Sequence, residues 1–194
     1  MRRILTQEQR DKKIRRNQLI IGLILILVMV FGTVSYAFSD KENKNSEKIE
    51  YNGLKFVKDS SGYWNFNIQA HNFITKYNPK EVENITFLSY SSISDYANKP
   101  LYLVSDFNEP NYEISRNLNP FVLRIQNACI SENNCIGNLP VKNCSADNVI
   151  IIKEIDNESQ KESIYQQDNC IFIISSIENQ TRYVDAFLFK VLGI

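Results

Sequence analysis

The chain has 194 residues, with 22 Lys and Arg against 22 Asp and Glu, one His and four Cys. A length of this order holds one domain with a real core. The zero charge hides two unlike parts. Residues 1–17 carry seven basic residues against Glu8 and Asp11, a net of +5, and removing the first 38 residues leaves 15 basic against 20 acidic, a net of −5. So acidic a remainder excludes nucleic acid as its natural partner.

After the basic tail "MRRILTQEQRDKKIRRN" comes "LIIGLILILVMVFGTVSYAF", Leu19 to Phe38, twenty residues without a charge. About 20 apolar residues span a ~30 Å hydrocarbon core as a helix, the one open structure that satisfies its own backbone in lipid. Tyr36 and Phe38 stand where interfacial aromatics sit. Flanking cations stay in the cytoplasm, so the bulk of the chain is expected outside. Small residues Ser35 and Ala37 suit a signal-peptide cleavage. The apolar run is longer than a usual signal core, which favours an uncleaved anchor in contact with membrane lipid. The basic tail either meets anionic headgroups or only sets topology, and the latter is favoured.

The expected organisation is a cytoplasmic tail (1–17), a transmembrane helix (18–38), a stalk (39–50) and an extracytoplasmic domain (51–194). "SDKENKNSEKIE" reads as stalk because one apolar residue among many charges cannot bury a core. Next, "LKFV", "YWNFNI" and "FITKY" alternate and are separated by "DSSG" and "QAHN", the pattern of an antiparallel meander. "NPKEVENI" offers Asn78 as N-cap and Pro79 at the first helical position. "PLYLVSD" (100–106) reads as a strand. Ile114, Leu118, Phe121, Val122, Ile125 and Cys129 recur at helical spacing, so a helix is expected over 112–129, broken or restarted at Pro120.

"VIIIKEI" (149–155) is a strand buried on both faces. The polar "DNESQK" follows it, then "SIYQQDNCIFIIS" (163–175), read as its hairpin partner. "PLYLV", the 112–129 helix and "VIIIKEI" read as one right-handed crossover. Finally "RYVDAFLFKVLGI" places Val184, Phe187, Leu188 and Val191 on one helix face, ended by Gly193. The sum is an α+β fold: an N-terminal transmembrane helix, then a domain with an antiparallel meander, a mixed sheet and two or three helices.

Cys129, Cys135, Cys144 and Cys170 form no C-x-x-C pair, which disfavours a redox site or structural zinc. In an oxidising compartment an even count reads as two disulfides. A hairpin turning near Ser159 sets Asn148 opposite Cys170 and brings Cys144 within reach. That favours Cys144–Cys170 with Cys129–Cys135 among the three possible connectivities.

"YNGLKFVKDSSGYWNFNI", "FITKYNPKEVENI", the "AC…C…LPVKNC" run and the closing "DAFLFKVLGI" together resemble small membrane-anchored proteins of archaea. The resemblance implies a membrane anchor and carries no catalytic residue.

Chemistry-bearing motifs are sparse. There is no "GxxxxGK", "GxGxxG" or "GxSxG". His71 could be a general base but reads as a solvated turn residue. Glu81 and Glu83 do not share a helix face, so solvated charge is favoured over a carboxylate pair. Asp185, in an apolar helix, needs a partner, and Lys190 or Arg182 lies near in sequence. Trp64 and Phe66 alternate onto one side, the side of a core. Sequons begin at Asn84, Asn143, Asn157 and Asn179; Cys144 disfavours Asn143, leaving Asn84, Asn157 and Asn179 as glycosylation candidates. No catalytic residue, metal site or cofactor is expected. The favoured reading is a non-enzymatic binding or accessory domain with an envelope protein partner. The alternative is an anchored envelope hydrolase with a cleft near Tyr63, Trp64 and His71.

Overall fold

The computed structural model describes residues 15–30, 46–87, 91–132, 135, 137–156 and 161–194. The chain divides into two units, Met1–Asn45 and Ser46–Ile194. In the first, residues 15–30 form helix α1, and its apolar side chains from Leu19 to Val30 are exposed. Among the described residues no helix is long and apolar enough to cross a membrane. Residues 31–38 of the expected span lie outside the described residues, as do 1–14 of the tail and 39–45 of the stalk.

The second unit is α+β, with a four-stranded antiparallel sheet and a five-stranded mixed sheet. The antiparallel sheet runs β1 (Lys48–Tyr51), β2 (Leu54–Lys58), β3 (Trp64–Ile68), β4 (His71–Thr75) in sequence order. β1 is a correction to the sequence reading, since Lys48, Ile49 and Glu50 were assigned to the stalk. Asn52 and Gly53, at φ 47° and 78°, join β1 to β2 as a two-residue turn. Both left-handed positions match the twist of a hairpin, and Asn-Gly fills them with least strain. Composition hid the strand, and this dipeptide was the signal that marks it. Between β2 and β3 the Asp59 carboxylate accepts from Ser61 N, Tyr63 N and Asn65 Nδ2 at 2.8, 3.0 and 3.0 Å. The inward face of the sheet carries Phe56, Trp64, Phe66 and Phe73, all at most 2 % exposed.

Two single-turn helices follow, α2 (Pro79–Val82) and α3 (Ile93–Tyr96). Asn78 caps α2 as expected: its Oδ1 accepts from Lys80 N and Glu81 N, and Glu81 Oε2 accepts from Asn78 N at 2.7 Å. The two ends thereby satisfy each other's free amides. With α3 the described residues of the domain hold four α-helices, where two or three were expected.

The mixed sheet has the order β6 (Arg124–Asn127), β5 (Pro100–Val104), β7 (Asn148–Glu154), β9 (Cys170–Ser175), β8 (Ser163–Gln167). Two expectations fail here. The helix α4 spans Asn108–Leu118, not 112–129; Asn119 caps its C-terminus, and the chain becomes β6, parallel to β5. Pro120 has no N–H for a helical bond, and the periodicity beyond it belongs to a strand edge. The run 163–175 is two strands, not one. Asp168 (φ 50°) and Asn169 turn β8 antiparallel onto β9, and β9 lies parallel to β7 with Val149 beside Cys170. β7 gains its two-sided burial from parallel neighbours, β5 and β9, and not from a hairpin.

Alternation splits the mixed sheet between two cores. Leu101, Leu103, Ile150, Ile152, Ile171 and Ile173 face the main core. Tyr102, Val149, Ile151 and Cys170 face the opposite way. The last helix, α5 (Gln180–Leu192), joins the two sheets: Phe189 meets the rings of Phe56 and Phe66 at 6.1 and 5.8 Å, while the helix packs on β9. It is therefore buried nearly all round. Gly193, at φ 77°, ends it as expected.

Candidate functional site

The domain's buried polar groups gather where α4 and α5 meet the outer edge of β4. An edge strand exposes unpaired amides and carbonyls. Here helix side chains take them. Asn117 Oδ1 accepts from Ile74 N at 2.9 Å, and Asn117 Nδ2 and Arg116 Nη2 donate to Ile74 O at 2.8 and 2.9 Å. Asp185 Oδ2 accepts from Lys76 N and Tyr77 N at 3.1 and 2.9 Å, and Glu113 Oε1 also accepts from Lys76 N. Arg116 Nη2 holds Glu113 Oε2 at 2.6 Å. Asp185 is fully buried and Glu113 is 2 % exposed. Burial, then the neighbouring Glu113, push the Asp185 carboxyl well above the usual range. Burial also raises Glu113, against the pull of Arg116. The neighbouring Glu113 charge thus disfavours ionisation of Asp185. Both are closed to solvent and form a seam between α4, α5 and the end of β4.

This corrects the expected partners of Asp185. Arg182 instead donates to Glu81 O and Asn84 Oδ1 at 2.7 and 3.0 Å. Lys190 borders a cleft of about 240 Å³ with Glu83, Val82 and Phe189.

The crevice with the better placement lies at the carboxyl ends of the parallel strands. Open α/β sheets bind ligands there, where neighbouring strands lead off to opposite sides. β5 leads through α4 to β6 on one side, and β7 leads towards β8 and β9 on the other. Between them lies a cleft of about 330 Å³ lined by Ser105, Asp106, Asn127, Ile130, Leu139 and Lys153, among others. Ile130 and Leu139 are 39 % and 38 % exposed on its rim. Sequence reasoning missed this set because it depends on parallel pairing; the signal was the polar residues at the carboxyl ends of the two strands, "VSD" and "IKE".

The four cysteines are joined as Cys129–Cys135 and Cys144–Cys170, with Cα atoms 5.5 and 5.0 Å apart. These are the favoured pairs, reached through the parallel β7–β9 ladder. Ala128 and Cys144, next to or within these bonds, pack with Tyr102, Val149 and Ile151 on the outer face of the mixed sheet. Among the described residues no group of three His, Cys, Asp or Glu side chains could hold a metal.

The structure does not assemble the cleft of the hydrolase reading. Trp64 is 1 % exposed in the core, facing Thr75 across the β3–β4 ladder, while His71 lies at its other end, exposed, against Phe121 at 4.7 Å. The Arg116 guanidinium covers the Tyr63 ring at 4.8 Å. Of the sequons, Asn84 is exposed, Asn179 donates to both Glu162 oxygens at 2.9 and 3.0 Å, and Asn157 lies outside the described residues. No family model, curated protein or solved structure matches the chain.

Proposed function

We propose that the protein is a single-pass, membrane-anchored domain displayed outside the cytoplasm, where it acts by contact with another envelope component and not by catalysis. The pairing of all four cysteines carries this reading, because such bonds persist in oxidising compartments. The uncharged run Leu19 to Phe38 behind a +5 flank supports the anchor and its orientation. The use of Asp185, Glu113 and Asn117 to seal a sheet edge supports the non-catalytic half. Asn84, Asn157 and Asn179 are the proposed glycan sites, and the resemblance to anchored archaeal proteins is in keeping with all of this.

Protease added to intact cells should remove the domain and leave a membrane-bound fragment of ~4–5 kDa. A fully protected chain overturns the orientation. Hydrolysis of an envelope polymer that stops in His71→Ala overturns the non-catalytic reading.

A further inference from the structure

One cluster outside the clefts and the seam is built from three elements. Tyr102, at the centre of β5, points to the outer face of the mixed sheet and is 4 % exposed. Arg124 opens β6 in register with Pro100, so it stands on the same face two positions away. Its Nη2 donates to Tyr102 Oη at 3.0 Å. Lys142 lies between the two disulfide-closed loops, two residues before Cys144. Cys129 N donates to Pro140 O at 3.0 Å and Lys142 N to Cys129 O at 2.8 Å, which delivers the side chain over the Tyr102 ring, 4.2 Å from its centroid.

The charges around the phenol do not cancel. Lys142 pairs with Asp147 Oδ1 at 3.1 Å, and Asp147 Oδ2 accepts from Asn143 N. Arg124 has no carboxylate partner among the described residues. Two cations and one carboxylate leave one positive charge on the surface of an acidic domain. Donors are also in excess: a guanidinium has five N–H groups and an ammonium three. One of each is engaged, by Tyr102 and Asp147, and no described acceptor takes the Tyr102 O–H. The other N–H groups of Arg124 and Lys142, and the Tyr102 O–H, thus have no hydrogen-bond acceptor among the described residues.

We propose that Arg124, Lys142 and Tyr102 form a binding site for a phosphate-class oxyanion. The guanidinium supplies a planar fork, the ammonium a point charge and the phenol a single O–H, a set that fits a tetrahedral anion better than a flat carboxylate. The anion is either a free phosphate compound or the phosphate of an anionic lipid headgroup. The site does not depend on the contact function proposed above, since it stands on side chains of the folded domain alone.

Tyr102 provides the signal. Arg124, then Lys142, hold its phenol below the usual tyrosine range. A bound anion neutralises that field and moves the titration upwards. The full chain in non-ionic detergent, with isotope-labelled tyrosine, should show saturable NMR shifts at Tyr102 on adding inorganic phosphate, and a raised Tyr102 titration. Arg124→Gln and Lys142→Gln should each weaken phosphate binding about tenfold, the effect of losing one charge-assisted hydrogen bond. Arg124→Lys should recover part of the loss. Both residues reach solvent, so the fold survives these changes, and retention of both disulfides checks it. Reconstitution in neutral or anionic lipid separates the two sources: a Tyr102 shift in anionic lipid without added phosphate assigns a headgroup, and a shift with phosphate alone assigns a soluble ligand. No saturable change at Tyr102 with either, or binding unaltered in both glutamine variants, overturns the site.

Discussion

Asp185 lies between Val184 and Ala186 in a buried helix, and its carboxyl reaches two backbone amides 109 and 108 positions away in the chain. Replacing it with alanine strands Tyr77 N and leaves Lys76 N to Glu113 Oε1 alone. An unmet buried donor costs about 1–3 kcal/mol, so Asp185→Ala should lower unfolding free energy by roughly 1–3 kcal/mol in urea titrations. The folded carboxyl is raised, so the folded state holds its proton more tightly than the unfolded chain. The associated stability is fully present below the ordinary aspartate range and is lost as pH rises through the raised value. Asp185→Asn keeps an acceptor and removes the charge. Its stability should vary less between acid and neutral pH than that of the wild type; an equal slope in both would move the effect elsewhere. The residue types were legible in the sequence, but their partners were not. A buried aspartate announces that it needs a partner, and backbone amides on a distant edge strand leave no mark in composition.

Among elements, those set by neighbours in sequence were legible. The β2–β4 meander follows from alternation and turn residues, α2 from Asn78-Pro79, and the end of α5 from Gly193. The mixed sheet was less so. Its continuous run in β7 announces two-sided burial but not which strands lie beside it, and both parallel partners are remote. The expected disulfide pairs and the observed ones coincide although the ladder runs the other way, because Cys144 and Cys170 sit at the same end of β7 and β9 under either direction. The carboxyl-end crevice was hidden for the same reason, since it exists only once β5, β6 and β7 are parallel. The Cys144–Cys170 bond closes the longer loop. Its removal by a Cys144→Ser, Cys170→Ser double change should cost about 3 kcal/mol by loop-closure entropy, and loss of Cys129–Cys135 should cost less. Guanidinium unfolding of the two double variants checks the order. If the short bridge matters more, its value lies in holding the segment over Tyr102 and not in chain entropy.

For the whole molecule, both hydrophobic cores are built from residues after Ser46, beginning at Ile49. A chain starting at Ser46 should therefore fold by itself in an oxidising compartment. Its calorimetric Tm should fall within a few degrees of the full chain's in detergent, about the shift that a change under 1 kcal/mol produces. A broad, uncooperative transition would mean that the first unit contributes to the core.

Every strand of both sheets precedes the helix that unites them. The meander must keep Phe56 and Phe66 waiting, and β9 its inner isoleucines, until Gln180–Leu192 has been made and delivered. Until then the growing chain carries two half-built aromatic and aliphatic surfaces with no cover, the state in which chaperones and proteases act. Oxidation of Cys170 can precede the helix in time, so the chain is cross-linked before it is closed. A version ending before Gln180, made under oxidising conditions, should form the Cys144–Cys170 bond yet fail to fold, and be degraded. Assembly here is a matter of order: the helix that joins the two sheets is the last element made.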